Sequence, residues 1–190
     1  LHDNGIHLID LTRYFLGEVE EVKGFASGGV WHFDGCEDNG FALLRSAEGK
    51  VATVHASWTE WGKYQFRIEL VGTRGRIVAT CFPMRLEALW SDSVAGPMRR
   101  TRQRFATVQA GEHLRSYRWV VLKSFALEID AFVRRLRGDR TELATGFDGL
   151  RAIEIAWSAS NREDAGSAGV AGLRIATPST DEAMDLRIER

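Results

Sequence analysis

A block of β-textured sequence from Val19 to Trp90, flanked on both sides by segments of helical period, constrains the fold of this 190-residue chain more than any other feature. Residues 51–58 (VATVHASW) run without a helix or strand breaker, and Phe66, Ile68 and Leu70 alternate with Arg67 and Glu69, as in a strand with one face covered. Gly72-Thr73-Arg74-Gly75 separates that strand from Ile77-Val78-Ala79 and reads as a tight antiparallel connection, and residues 46–50 (SAEGK) read as a second one.

Before this block, residues 3–16 place Ile6, Ile9, Arg13 and Leu16 on one helical stripe and Leu8, Leu11 and Phe15 on the next, with Gly17 as the stop. A short, substantially buried helix is predicted. Residues 91–116 carry Gly96-Pro97 and Arg99, Arg100, Arg102 and Arg104, and read as a loop leading to an edge strand near Phe105 to Val108. Helical period returns over 117–137, where Val121, Phe125, Ile129, Phe132 and Leu136 fall on one stripe before Gly138. Thr145-Gly146-Phe147-Asp148 resembles a capping box, opening a helix with Leu150, Ile153 and Trp157 on one face.

The order helix, five to seven strands, two helices predicts an α+β domain over 1–165, an open, mostly antiparallel sheet with helices packed on one face. Residues 166–190 are expected to form a C-terminal strand or flexible tail.

Composition narrows the class. With 25 basic and 26 acidic residues the formal net charge is −1, so no strong field favours nucleic acid or a membrane surface. No apolar run approaches the roughly 20 residues of a membrane span, and the start lacks the pattern of a signal peptide; a soluble, cytoplasmic protein is expected. Cys36 and Cys81 stand in no zinc-like spacing.

The chemistry concentrates near the start. On a helix Asp3 and His7 are separated by four residues and His7 and Asp10 by three, so the three project from neighbouring positions of one face. A carboxylate beside an imidazole fixes its tautomer and stabilises its protonated form, which suits removal of a hydroxyl proton. The plain alternative is an aspartate that caps the helix beside a hydrogen-bonded core histidine. A metal site built from His2, Asp3, His7 and Asp10 has suitable ligand types but no recognised spacing, and none is expected. His55, in the 51–58 strand, either points into a substrate cleft or is a satisfied sheet histidine. Trp58, Trp61 and Tyr64 either stack on a sugar face or cover the sheet. The arginines at 99–104 either meet an acidic ligand or form a solvated loop.

The string Asp3-Asn4-Gly5-Ile6-His7-Leu8-Ile9-Asp10-Leu11, followed by Phe15-Leu16-Gly17-Glu18-Val19, resembles the D-x-G-x-H-x-x-D signature of the family containing glucose-fructose oxidoreductase, inositol dehydrogenase and the MocA protein (Gfo/Idh/MocA). Residues 40–44 (GFALL) with Gly49, residues 69–77 (ELVGTRGRI), and residues 128–132 (EIDAF) through 145–150 (TGFDGL) are similar to later parts of that family's C-terminal domain.

The resemblance implies an NAD- or NADP-dependent dehydrogenase acting on a sugar, inositol or related polyol. It gives His7 the role of acid/base and Asp3 that of its support, with Asp10 matching the motif; substrate-binding roles are expected of Asp10, and of His55 and Trp58 from their places in the 51–58 strand. The family's catalytic lysine, in a Glu-Lys-Pro string, is not found, and neither is a Gly-x-Gly-x-x-Gly turn between a strand and a helix. The chain is therefore expected to lack the N-terminal Rossmann domain that mainly holds the cofactor, to be inactive alone, and to assemble as a homo-oligomer through the open sheet face. A non-catalytic ligand-binding or dimerisation domain of the same fold is the alternative.

Overall fold

The computed structural model describes residues 1–31, 35–62, 64–81, 83–115, 117–160 and 173–174. Contacts divide the chain into two compact units, Leu1–Thr59 with Ala144–Arg190, and Glu60–Leu143.

In the first unit, helix α1 (Asn4–Leu16) leads into β1 (Val19–Ser27), β2 (Asn39–Ser46) and β3 (Val51–Ser57), and α4 (Gly146–Ser160) returns to pack on them. The two-residue strand β8 (Leu173–Arg174) pairs antiparallel with Val22 and Glu21, giving the order β3-β2-β1-β8. The rest of the expected tail, 166–172 and 175–190, lies outside the described residues. Gly17, at φ 89°, turns the chain out of α1, and Gly49, at φ 79°, makes the turn between β2 and β3; both backbone conformations are ones that L side chains rarely adopt.

Alternation decides what each side of this sheet meets. Val22, Ala42, Leu44 and Val54 point toward α1 and α4 and are buried with Ile9 and Ile155. Their neighbours Phe25, Phe41, Leu43 and Val51 point to the other side and stay exposed. On that open side the rings form a ladder across three strands, Phe25 stacked on Phe41 at 5.0 Å and Phe41 on His55 at 4.1 Å.

The start of α4 is the expected capping box. Asp148 Oδ2 accepts from the Thr145 backbone N–H at 2.8 Å and from its hydroxyl at 2.7 Å, while Thr145 Oγ1 accepts from the Asp148 N–H at 3.3 Å. The buried face differs from the bulky one. Ala152, Ile155, Ala156 and Ala159 are buried, whereas Leu150, Ile153 and Trp157 face outward. The cause is closeness: a methyl group placed on Gly24 of β1 would sit 2.9 Å from Ala159 Cβ, so only small side chains fit between this helix and the sheet.

In the second unit, β4 (Phe66–Gly72), β5 (Gly75–Cys81), β6 (Arg85–Trp90) and β7 (Arg99–Arg104) form an antiparallel meander in sequence order, with Gly72 opposite Gly75 at the expected tight connection. Helices α2 (Ala106–Arg115) and α3 (Tyr117–Leu136) pack on each other, Gly111 lying close under the Trp119 ring. Gly138, at φ 96°, follows α3 as expected. The α+β class and antiparallel pairing stand, but the strands are shared between two four-stranded sheets rather than one.

The arginine-rich segment corrects the expected loop. Residues 99–104 are the edge strand itself, and 106–115 are helical where a strand was expected near Phe105. Charge explains the strand: Glu87 on β6 accepts from Arg100 at 2.8 Å and from Arg102 at 2.9 Å, so alternate arginines find a carboxylate across the ladder. An all-exposed, cationic edge also discourages pairing with another chain.

Candidate functional site

Helix α1 sorts its side chains by face. Gly5, Ile9 and Leu16 are buried against the sheet and α4, and Asp3, His7 and Asp10 fall on the opposite side, with Asp3 and His7 exposed and Asp10 half-buried. Asp3 occupies the N-cap position, yet its side chain makes no capping hydrogen bond. His7 is solvent-facing, and among the described residues its imidazole has no hydrogen-bond or ion-pair partner. Neither half of the plain alternative therefore holds: the aspartate does not cap, and the histidine is not a satisfied core group. Asp3 and His7 also form no direct hydrogen bond with each other, so the two are brought to one face and left open to solvent.

Asp10 is anchored. Its carboxylate lies 3.7 Å from Arg13 Nη1, which also donates to Asp148 Oδ1 at 3.2 Å, while Arg13 Nη2 donates to Glu18 Oε2 at 3.0 Å. Glu18 Oε1 accepts in turn from Arg151 Nε at 2.7 Å, and Arg151, 2% exposed, donates to the Val19 carbonyl at 3.3 Å and to Glu154. This cluster ties α1 to α4 and to the start of β1. Burial works to raise the Glu18 carboxyl pKa, but hydrogen bonds from Arg13 and Arg151 outweigh it and hold the group below its ordinary range. Sequence reading placed Arg13 on the helical stripe without its partners; opposite charges 133 positions apart leave no local signal.

Trp58 follows the last residue of β3. The preceding Ala56 packs beside Gly5 in the first turn of α1, so Trp58 and Asp3 stand at the same end of the sheet. His55 does not join them. It is opposite Phe41 on the side of the sheet away from α1, stacked on that ring, because strand alternation sends Val54 and Ala56 toward α1 and His55 the other way. Trp61 and Tyr64 lie in the second unit.

A second feature of this end escaped the sequence reading. Asp38 Oδ2 accepts from three successive backbone N–H groups, Gly29 at 3.2 Å, Val30 at 2.8 Å and Trp31 at 3.2 Å. The Trp31 indole N–H then donates to the Trp58 carbonyl at 2.8 Å. Burial raises the Asp38 carboxyl pKa, and the backbone donors from Trp31, Val30 and Gly29 more than reverse that, holding it low.

Among the described residues the strand pairs are all antiparallel, without the parallel strand, glycine turn and helix N-terminus that cradle a pyrophosphate in a Rossmann fold. Among the described residues no group of three or more His, Cys, Asp or Glu side chains converges to hold a metal ion. None of the helices among them is long and apolar enough to cross a membrane.

Comparison with known proteins agrees with this fold. Residues 1–78 match the family model of the GFO/IDH/MocA C-terminal domain. Myo-inositol 2-dehydrogenase of Thermotoga maritima is 28% identical over 167 residues, covering 83% of this chain and 44% of that protein. The chain thus spans less than half the length of this curated relative. An oxidoreductase from Agrobacterium radiobacter, solved with NAD+, L-tartaric acid and magnesium, superposes with a TM-score of 0.60 at 23% identity, over 83% of this chain and 44% of that one. UDP-N-acetylglucosamine 3-dehydrogenase from Acidithiobacillus ferrooxidans gives 0.59 at 20% identity, over 80% and 44%; at these identities the likeness is one of fold. From Leu1 into β5, this chain is similar to the C-terminal domain of GFO/IDH/MocA oxidoreductases.

Proposed function

We propose that this chain is the substrate-binding part of an NAD(P)-dependent dehydrogenase acting on a secondary hydroxyl of a sugar, inositol or related polyol. The observation that carries the reading is the open face of α1, where His7 is unpartnered and Asp3 is not used as a cap. An imidazole in that state is available to accept a hydroxyl proton, and an aspartate one turn away favours the imidazolium that results. Asp10, held by Arg13, adds a second carboxylate on the same face, suited to a further substrate hydroxyl. The 28% identical myo-inositol 2-dehydrogenase supports the substrate class.

The described strands form no Rossmann-type cradle, so in this reading NAD or NADP is held mainly by a separate domain, and this chain supplies the proton-transfer side of the site. Alone it is not expected to oxidise a polyol. In the full-length polypeptide that carries this chain, His7→Ala should lower turnover of myo-inositol with NAD+ by about 100-fold or more, at unchanged thermal midpoint. Wild-type turnover in that variant would sink the assignment.

Assembly into a homo-oligomer through the open sheet face belongs to the same reading, supported by the exposed Phe25, Phe41, Leu43 and Val51. Phe41→Lys should shift the sedimentation coefficient of the full-length protein to that of a smaller species; an unshifted coefficient argues against this face.

A further inference from the structure

An exposed tryptophan ordinarily keeps its rotamer freedom, and Trp31 does not. It is 54% exposed, yet its backbone N–H is fixed on Asp38 and its indole N–H on the Trp58 carbonyl. Trp58, 57% exposed, is fixed at its own backbone, where its N–H donates to the Asp38 carbonyl at 2.8 Å. Asp38 thus holds both residues, the first with its side chain and the second with its main chain. Asn39 braces the arrangement, donating to Asp38 Oδ1 at 3.2 Å and to Thr59 Oγ1 at 3.1 Å. The result is two large, flat apolar surfaces standing in solvent at the end of the sheet where α1 begins, the end that presents Asp3, with the Trp31 indole held by its own hydrogen bond and Trp58 held at its main chain.

Fixing an exposed side chain stabilises the fold little, because the contact area stays with water and the rotamer entropy is lost. The same fixing favours a ligand, since no ordering remains to be done when it arrives. Indole faces match the C–H faces of a pyranose or cyclitol ring, while the ring hydroxyls remain free for polar partners.

We infer that Trp31 and Trp58 form a stacking subsite for a cyclic polyol ring beside the Asp3–His7 face, and that Asp38 is the positioning residue that holds it. This rests on the polyol reading given above, and it adds Trp31 as a binding residue and Asp38 as its support. Trp31 binds without taking part in proton transfer, so its removal weakens affinity and leaves the chemical step alone.

The test uses the full-length polypeptide carrying this chain, with NADH in place of NAD+ so that no hydride acceptor is present, and titrates myo-inositol by calorimetry, which then reads binding without turnover. Trp31→Ala should raise the dissociation constant about tenfold, and Trp31→Phe should recover most of that loss because a ring face is restored. Asp38→Ala should weaken binding in the same direction, with Asp38→Asn in between. In steady-state assays KM should follow these changes while kcat stays within about threefold of wild type, at unchanged thermal midpoint for both Trp31 variants. Unaltered affinity in Trp31→Ala, equal weakening by Ala and Phe, or no binding of myo-inositol by the wild type would each overturn the subsite. Binding that depends on Trp31 without any NAD+ reduction would leave the subsite standing and overturn the dehydrogenase reading. His7-dependent turnover at an unchanged KM in Trp31→Ala would do the reverse.

Discussion

Arg151 of α4 and Glu18, between α1 and β1, meet at 2.7 Å from Nε to Oε1, while the other oxygen of Glu18 takes Arg13 of α1 at 3.0 Å. One carboxylate therefore clamps two helices, and the helix so clamped is the one that carries Asp3, His7 and Asp10.

Removing Arg151 leaves Glu18 with Arg13 alone and takes this donor from Glu154 and from the Val19 carbonyl. Breaking a buried ion pair from one side costs a few kcal/mol because the remaining charge keeps its desolvation penalty. Arg151→Leu should lower unfolding stability by about 3 kcal/mol, and adding Glu18→Gln should cost less than the sum of the two single changes. Urea unfolding of the four proteins of this cycle measures the coupling, and strict additivity would show that the pair does not act as a unit.

The same clamp sets an acid limit. The pKa of Glu18 is lowered in the folded state, from an ordinary 4.5, and that of Asp148 from an ordinary 3.8, the latter mainly by its hydrogen bonds from Thr145. A depressed carboxyl binds protons more readily in the unfolded chain, so its contribution is complete above the ordinary value and disappears as pH falls through the folded one. Thermal midpoints should be level from pH 7 to about 5 as far as these groups are concerned, then fall below about pH 4.5. Glu18→Gln should start from a lower midpoint and fall less steeply; an equal acid slope in that variant would remove Glu18 from the account.

Gly24 sets how near α4 comes to the sheet. A Cβ there would stand 2.4 Å from the Phe41 carbonyl oxygen and 2.9 Å from both Ala159 Cβ and its carbonyl oxygen, and two of those three atoms are backbone. Neither the strand pair nor the helix can yield cheaply, so Gly24→Ala should cost about 1–3 kcal/mol, read from the denaturation midpoint. A neutral effect would mean that α4 can shift outward without loss.

Local chemistry in the sequence carried over to the structure where neighbours decide the outcome. The Gly17 stop, the 72–75 connection and the Thr145–Asp148 capping box are each settled within four residues, and each is found. The exposed face bearing Asp3, His7 and Asp10 follows from helical spacing in the same way. Partners far apart in sequence left no such trace: Arg151 finds Glu18 across 133 positions, and Asp38 draws three amides of a loop that precedes it. The side taken by His55 was not legible for a different reason, since a strand with apolar or small residues on both sides does not reveal which of them the helix will cover.

The face of α4 offers the sharpest test of what holds this unit together. Hydrophobic bulk marks Leu150, Ile153 and Trp157 as the core stripe, but Trp157 is 60% exposed and its one ring contact is an edge-to-face approach to His2 at 5.8 Å. Ala156, by contrast, is wholly buried within the cluster that includes Val22 and Leu44. If closeness rather than bulk stabilises the contact, enlarging the small residue must hurt more than deleting the large one. Ala156→Leu should destabilise by about 2–3 kcal/mol through overpacking, and Trp157→Ala by about 1 kcal/mol or less. Chemical denaturation of the two variants ranks them directly, and a larger loss from Trp157→Ala would return the core to the bulky face.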